Sequence, residues 1–337
     1  MGKIKNFQNE EQNFEEIVNL INSSKESAYK AVNIVLIDLY WRIGEYISNK
    51  IASSVWGEGV VDQLANYISK NQPGIRGFTR SNLFRMKQFY ETYHKEQIVA
   101  PLVRQLPWTH NLIILAQCKS IEEREFYLRR CINENWTKRE LERQLKLALY
   151  ERLILNPVQV SSTLERIYPE AKNAFRDSYM VEFLGLGSGH DEIDLHKSLL
   201  AKLKNFLIEL GRDFCFIGTE YPLQIGGRDF SIDLLFFHRG LNCLVAVELK
   251  VGRFEPEYLG KLSFYLEGLD QTVKKSHENP TIGLLLCASK DKEVVEFSLN
   301  RTLSPALISE YQIQLPDKKI LQKKLHELFL EERKPDK

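Results

Sequence analysis

Two carboxylates and a lysine lie on the two strands of a β-hairpin predicted in the second half of the chain. Asp233 lies in one apolar run, and Glu248 and Lys250 lie near the end of the next, with a turn at 238–242 between the runs. Two runs rich in Val, Leu and Phe on either side of a turn containing glycine are typical of a hairpin. Because side chains two apart on a strand share a face, Glu248 and Lys250 project together. Asp233 can meet them across the hairpin.

These residue types suit metal-dependent cleavage of a phosphodiester. Mg²⁺ takes oxygen ligands and keeps several waters, so one or two carboxylates and a substrate phosphate suffice to hold it. The ion activates water and neutralises phosphate charge, and a lysine can orient the attacking water and stabilise the transition state. We therefore expect Asp233 and Glu248 to bind Mg²⁺ or Mn²⁺, with the backbone carbonyl of Leu249 as a further ligand, and Lys250 to complete the catalytic set.

The residues alone also allow a structural interpretation. Apolar strands often end in a charged pair, and Glu-x-Lys on a solvated face is common. Asp233 is harder to explain in this way, because a carboxylate on so apolar a strand costs free energy unless it has a partner or a cation. At this level a metal site and a structural ion pair both remain open.

Longer stretches of sequence carry a family resemblance. The spacing Asp-x(14)-Glu-x-Lys looks like the signature of PD-(D/E)xK nucleases, and the stretches around it resemble the YhcG family of these nucleases. The similarity extends from about residue 14 to about residue 315. The matching stretches are 39–47, 77–93, 106–115, 135–145, 179–186, 231–266 and 278–287.

The resemblance and the residue patterns together predict an α/β (α+β) protein with an all-helical N-terminal domain. Apolar residues at spacings of three and four predict that this domain occupies residues 10–150. Turn residues mixed with charges suggest a linker at 151–175. A restriction-endonuclease-like domain, with a mixed central sheet flanked by helices, is expected at 176–316, followed by a charged helix and tail at 317–337.

The bulk composition is that of an ordinary globular protein. The 337 residues are 43% hydrophobic and 27% charged, with a net charge of +1. The chain contains no run of 18 apolar residues, and its N-terminus is polar, so neither a membrane span nor a signal peptide is expected. Five widely spaced cysteines without a CxxC pair favour the reducing cytoplasm.

The N-terminal half has a basic segment that could bind nucleic acid. Residues 76–152 contain 15 Lys or Arg against 9 Asp or Glu, a local excess that suits a phosphate-binding face. Residues 77–87 resemble the turn and recognition helix of a helix-turn-helix. The polar positions expected to contact nucleic acid are Arg80, Asn82, Arg85 and Lys87. A helical hairpin whose outer face happens to be basic explains the same pattern.

The helix predicted before the hairpin contains three candidates for an additional group at the site. The resemblance implies an extra acid from this helix, at a position where the YhcG relatives have Glu and this chain has His196. His196 could accept a proton, contact phosphate or bind a transition metal, or it could be solvated. Glu192 or Asp194 could instead supply the carboxylate.

Cations and aromatic residues near the hairpin could hold the phosphate backbone. Tyr258 and Lys261, three residues apart on the helix predicted after Lys250, share one face, and Arg228 lies at the start of the Asp233 strand. The structural alternative is that Tyr258 packs in the core and that the two cations are solvated.

The resulting hypothesis is a metal-dependent nuclease, with DNA as the expected substrate and internal cutting as the expected mode, in repair, recombination or defence against foreign DNA. The competing hypotheses are a catalytically silent nucleic-acid-binding module and an assembly subunit of a restriction or mobile-element system. Expected partners are therefore nucleic acid and either a second copy of the chain or a defence-system protein, with no membrane.

Overall fold

The structure is a computed structural model that describes residues 2–53, 57, 59–187 and 189–332. The chain divides into two compact units, Met1–Arg143 and Gln144–Lys337. None of the described helices combines the length and apolarity needed to cross a membrane.

The first unit is built from helices. A long helix begins the chain, shorter helices follow it, and the last of them crosses the boundary between the units. These helices are α1 (Gly2–Ala52), α2 (Val60–Asn71), α3 (Arg80–Tyr93), α4 (Val99–Val103), α5 (Trp108–Gln117), α6 (Ile121–Glu134) and α7 (Lys138–Lys146).

Close packing of α1 on α3 organises the first unit. Ile37 and Tyr40 are buried on α1, and Met86 and Phe89 are buried on α3. A Cβ atom at Gly44 would lie 2.1 Å from the backbone oxygen of Met86. The two helices can therefore approach this closely only because residue 44 has no side chain.

The second unit begins with three short helices and continues with a mixture of strands and helices. Its helices are α8 (Leu149–Leu155), α9 (Ser162–Ile167), α10 (Ala171–Ala174), α11 (Glu192–Ala201), α12 (Leu203–Leu210), α13 (Glu257–Thr272), α14 (Lys292–Asn300) and α15 (Lys318–Glu332). Its strands are β1 (Ser178–Met180), β2 (Phe214–Ile225), β3 (Arg228–His238), β4 (Cys243–Arg253), β5 (Asn279–Ser289) and β6 (Ala306–Gln312).

Within the described residues these strands form one mixed sheet in the order β1-β6-β5-β4-β3-β2. Strands β2, β3 and β4 pair antiparallel, and β4, β5, β6 and β1 pair parallel. The predicted hairpin is therefore the β3–β4 pair, and its second strand is where the antiparallel part of the sheet meets the parallel part.

A hydrophobic core lies on each face of the sheet. On one face α11 and α12 pack through residues such as Leu195 and Phe206. On the other face α13 and α14 pack through residues such as Leu262 and Leu299. A mixed sheet between two helical layers, following a helical region, confirms the predicted fold class.

The segment 151–175 differs from the linker suggested by its turn residues. It contains most of α8 and all of α9 and α10. Its Leu164, Tyr168 and Phe175 are buried in the core on the α11 side of the sheet. The prolines and serines of this segment separate short helices, so they mark turns within the second unit and not a connection between domains.

Candidate active site

Asp233 lies where strand β3 separates from β4. The two strands pair in register as far as Leu234 and Val247, and continuing that register would place Asp233 opposite Glu248. The backbone pairing stops there, and the Asp233 carboxylate accepts a hydrogen bond from the backbone N–H of Leu249 at 2.7 Å. The side chain therefore takes the place of a ladder hydrogen bond and is fixed beside the end of β4.

Glu248 is a buried carboxylate with one satisfied oxygen and one bare oxygen. Its side chain is 1% exposed. Oε1 forms a close ion pair with Lys261 of α13 and lies 3.3 Å from Nζ of Lys250. Oε2 is buried and has no hydrogen-bond partner. An ionised oxygen left in this state costs free energy unless something else binds it.

Lys250 joins the strand to helix α11. Its ammonium donates to the Glu192 carboxylate at 2.7 Å and to the carbonyl of Leu249 at 2.9 Å. Burial by itself lowers the pKa of Lys250, but the hydrogen bond to Glu192 and the charge of Glu248 outweigh burial, so the pKa is raised. The side chain is therefore a cation at neutral pH and acts as a donor.

Burial and the neighbouring charge of Glu248 raise the cost of ionising Asp233. The pKa of Asp233 is raised, first because burial removes water from the carboxylate and second because Glu248 is negatively charged nearby. The hydrogen bond from Leu249 and the charges of Lys250 and Lys261 act in the opposite direction without cancelling the rise. This pair of acids is short of positive charge even with both lysines in place.

The donor set fits a hard divalent cation. It offers two neighbouring carboxylates, one of which has a bare buried oxygen, and carboxylate oxygens are the ligands that Mg²⁺ or Mn²⁺ prefers. Across the described part of the chain, no three His, Cys, Asp or Glu side chains form a metal-binding cluster. Two carboxylates from the protein suffice for an ion that also binds water and substrate phosphate.

The three candidates on α11 occupy different environments. Glu192 reaches the site through its contact with Lys250. Asp194 forms a capping box with Asp191, the residue before the helix, so its carboxylate is used by the helix start. His196 lies with Nε2 2.7 Å from the Thr219 hydroxyl and 3.3 Å from the Asp233 carbonyl.

Thr219 is a neighbour of the site that sequence reasoning missed. Its hydroxyl donates to the backbone carbonyl of Asp233 at 3.2 Å and contacts His196. It holds the backbone of the acidic residue from the adjacent strand β2. Nothing in the local sequence identifies this threonine, because its position follows from the β2–β3 register, in which it faces Leu234.

The other residues predicted near the site lie at different distances from it. Lys261 contacts Glu248. Tyr258 is half-buried, with Lys250 Nζ 5.7 Å from its ring centroid. Arg228 is exposed and lies over the ring of Phe230. Tyr258 and Lys261 thus border the carboxylates, whereas the described contact of Arg228 is with Phe230.

The candidates on α3 in the first unit are mostly engaged in local contacts. Arg80 pairs with Asp62, and Lys87 pairs with Glu91. Asn82 is half-buried, accepts a hydrogen bond from the Trp108 indole at 3.0 Å and donates to the Gly77 carbonyl. Arg85 is exposed.

The connection between α2 and α3 departs from a helix-turn-helix. It runs over residues 72–79, longer than the turn of about three or four residues in that motif. Asn82, which was predicted as a polar contact residue, instead holds the start of α3 against α5. A basic helical hairpin therefore describes this region better.

A hairpin that presents Asp and Glu-x-Lys at the junction of a mixed sheet is the arrangement described by the PD-(D/E)xK signature. Family comparisons agree: residues 172–326 match the YhcG PDDEXK nuclease domain, and residues 16–152 match the DUF1016 N-terminal domain. The chain is 31% identical over 342 residues to "Putative nuclease YhcG" of Escherichia coli (strain K12), with 90% of each chain covered. The chain belongs to the YhcG family of PDDEXK nucleases.

A solved structure also matches part of the chain. It is the crystal structure of a repair endonuclease from Pyrococcus abyssi, with a TM-score of 0.26 and 16% identity. The match covers 38% of this chain and 49% of that one. Membership of the YhcG family supports nuclease activity on nucleic acid, and PDDEXK nucleases generally use divalent metal ions.

Proposed function

We propose that the protein hydrolyses phosphodiester bonds of DNA with the help of Mg²⁺ or Mn²⁺, at a site formed by Asp233, Glu248 and Lys250. The observation that carries the proposal is the bare, buried Oε2 of Glu248 beside a second carboxylate whose pKa is raised. A structural ion pair would satisfy both oxygens. A divalent cation accounts for the oxygen that the two lysines leave without a partner.

Each residue has a distinct part in the proposed reaction. Asp233 and Glu248 would hold the ion, with the Leu249 carbonyl as a further ligand, and a bound ion would lower the pKa of water and neutralise phosphate charge. Lys250 remains protonated, orients the attacking water and offsets charge on the phosphate. The water oxygen bonds to phosphorus and releases a proton to solvent, the bond to the leaving oxygen breaks, and that oxygen takes a proton from solvent.

Glu192 is the helix residue that we assign to the site in place of His196. It is the α11 carboxylate that contacts Lys250, and it keeps the ammonium beside the end of β4. Although position 196 is a histidine, the same helix therefore still supplies an acid, Glu192, to the site. This supports an active enzyme over a silent binding module, and it places His196 in a supporting role behind the Asp233 backbone.

DNA and internal cutting are the substrate and mode that we assign to this site. Membership of a nuclease family supports a nucleic-acid substrate. The exposed cation Lys261, with 47% side-chain exposure, borders the site, and Arg228 is exposed at the start of β3. Such cations bind the phosphate backbone without reading sequence.

The deciding experiment is cleavage of supercoiled plasmid, linear duplex and single-stranded DNA by the purified chain. We expect cutting with Mg²⁺ or Mn²⁺ and none with EDTA. Lys250→Ala should lower the rate at least about a hundredfold, because the lost charge stabilises the transition state. Nicked circles, which form before linear products, would identify internal cutting.

A matched control separates catalysis from charge. Lys323→Ala removes an exposed lysine from α15, where the residue is 80% exposed, and should leave the rate unchanged. Equal rates for wild type and Lys250→Ala would contradict the proposed site. DNA binding by both proteins, with no cleavage by either, would instead identify a nucleic-acid-binding module.

A further inference from the structure

Helix α1 has a second apolar stripe besides the one buried in its own unit. The buried stripe, with Ile37, Tyr40 and Ile47, packs against α3 and its neighbours. The second stripe lies on a different side of the helix and is exposed. Phe14 at its start is 61% exposed, and Val35 near its middle is 69% exposed.

The exposed stripe has the spacing of a coiled-coil seam. Its positions alternate at intervals of four and three residues, the heptad pattern by which one helix pairs with another. Apart from one lysine and one arginine, they are apolar. The positions are Phe14, Val18, Ile21, Lys25, Ala28, Val32, Val35, Leu39, Arg42 and Tyr46. At about 1.5 Å per residue, this seam is about 48 Å long.

The first part of the seam lies on a stretch of helix with little packing of its own. The described side chains of residues 14–32 are all exposed. Isolated helices are only marginally stable in water, and most helices in proteins are stabilised by packing an apolar face. A partner helix that packs on this stripe would bury it and would thereby stabilise this part of α1.

The far end of the seam runs into a groove in the same unit. Arg42 and Tyr46 line it together with Ile43, Leu64 and Ile68. The groove is mostly apolar and lies between α1 and α2. It therefore offers a place for large apolar side chains that arrive at this end of a paired helix.

We propose that two copies of this chain associate through α1, with the two helices antiparallel. In this arrangement Ala28 of each copy faces Val32 of the other at the centre, and Phe14 of each copy faces the groove at Tyr46 of the other. The remaining layers pair Val18 with Arg42, Ile21 with Leu39 and Lys25 with Val35.

The two charged positions select the antiparallel direction. A parallel, in-register pair would bring Lys25 against Lys25 and Arg42 against Arg42 inside the seam, and such like-charge contacts are destabilising. The antiparallel pair places each cation against a valine. The long stems of lysine and arginine can cover such a residue while the charge stays in water.

The oligomeric state of the full chain tests this surface independently of nuclease activity. Light scattering after size-exclusion chromatography, at micromolar concentration, should give twice the mass of one chain. The double variant Ala28→Glu with Val32→Glu places like charges across both central layers and should weaken association at least tenfold. Both positions are exposed in the single chain, so the variant should keep its fold by circular dichroism.

A matched control and a cross-link make the result specific. Ser27→Glu with Ile34→Glu adds the same charge to exposed positions of α1 outside the seam and should remain a dimer. A copy with Val18→Cys should form a disulfide with a copy carrying Arg42→Cys, in a Cys215→Ser background. A single-chain mass for the wild type, a dimer unaffected by Ala28→Glu with Val32→Glu, or a Val18→Cys disulfide between identical copies would each overturn the proposal.

Discussion

The carboxylates of the site oppose the stability of the protein that carries them. Asp233 and Glu248 each directly follow the last paired residues of β3 and β4, and Glu248 is almost fully buried. Two lysines compensate one oxygen of Glu248 and leave the other bare. Sites that hold uncompensated charge cost folding free energy, and this cost is a common trade between stability and activity. The cost disappears when a cation binds to the folded state.

Asp233→Asn should therefore make the metal-free protein more stable. The amide oxygen can still accept the hydrogen bond from Leu249, while the repulsion between the two carboxylates is lost. In EDTA the melting temperature should rise, and the further rise that Mn²⁺ gives to wild type should be absent. Differential scanning fluorimetry with and without Mn²⁺ measures both effects. Asp229→Asn, at an exposed position of the same strand, is the control and should behave as wild type.

The metal-free stability that Asp233→Asn gains over wild type should depend on pH, because the pKa of Asp233 is raised. A carboxyl whose pKa is raised by folding holds its proton better in the folded state, so metal-free stability falls as the pH rises through that pKa. The gain from Asp233→Asn should be largest near neutral pH and shrink on acidification towards the ordinary range for aspartate. A gain that is independent of pH would show that relief of charge is not its cause.

At the scale of elements, two acids in the first turn of α11 have different roles. Asp194 caps the helix, and Glu192 contacts Lys250. Asp194→Ala removes the N3 side chain of the capping box and should lower the free energy of unfolding by about 1 kcal/mol. Its cleavage rate should stay near that of wild type. Glu192→Gln should do the reverse, with little change in stability and a rate lowered about tenfold, because Lys250 loses its charged partner. Urea denaturation and plasmid cleavage together distinguish the two variants.

In the first unit, two residues near the start of α3 can likewise be tested for a structural role and for DNA binding. Asn82→Ala leaves the Trp108 indole without its acceptor and should cost about 1–2 kcal/mol of stability. Arg85→Ala removes an exposed cation and should leave the stability unchanged. If this face binds DNA, the arginine variant should also reduce the salt dependence of binding by about one phosphate contact. Fluorescence anisotropy at several salt concentrations measures this slope, and an unchanged slope would exclude Arg85 from the interface.

Strand and helix types could be predicted from the sequence, whereas the partners of single side chains could not. The apolar runs around the 238–242 turn indicated the β3–β4 hairpin and so placed Asp233 near Glu248. The choice among Glu192, Asp194 and His196 depends on the rotation of α11 and on its capping, which one sequence does not fix. The bare oxygen of Glu248 depends on how Lys261 approaches from α13, because the packing of that helix on β4 decides which oxygen the lysine contacts.

At the scale of the whole molecule, the chain contains two compact units. The first depends on the close approach of α1 and α3 at Gly44. The second depends on the sheet and its two cores. Units that each bury their own core can unfold in separate steps. A substitution in the core of one unit, or a ligand that binds one unit, then shifts the unfolding transition of that unit alone.

Gly44→Ala should accordingly lower the temperature of the calorimetric transition of the first unit and leave that of the second unit unchanged. The new methyl group would meet the Met86 carbonyl, which belongs to the backbone and cannot swing aside, so the cost should be about 3 kcal/mol. Mn²⁺ should raise the other transition, which belongs to the unit with Asp233 and Glu248. Gly74→Ala, at a position with open space around it, should shift neither transition. A single transition that moves with both Gly44→Ala and Mn²⁺ would mean that the two units fold as one cooperative body.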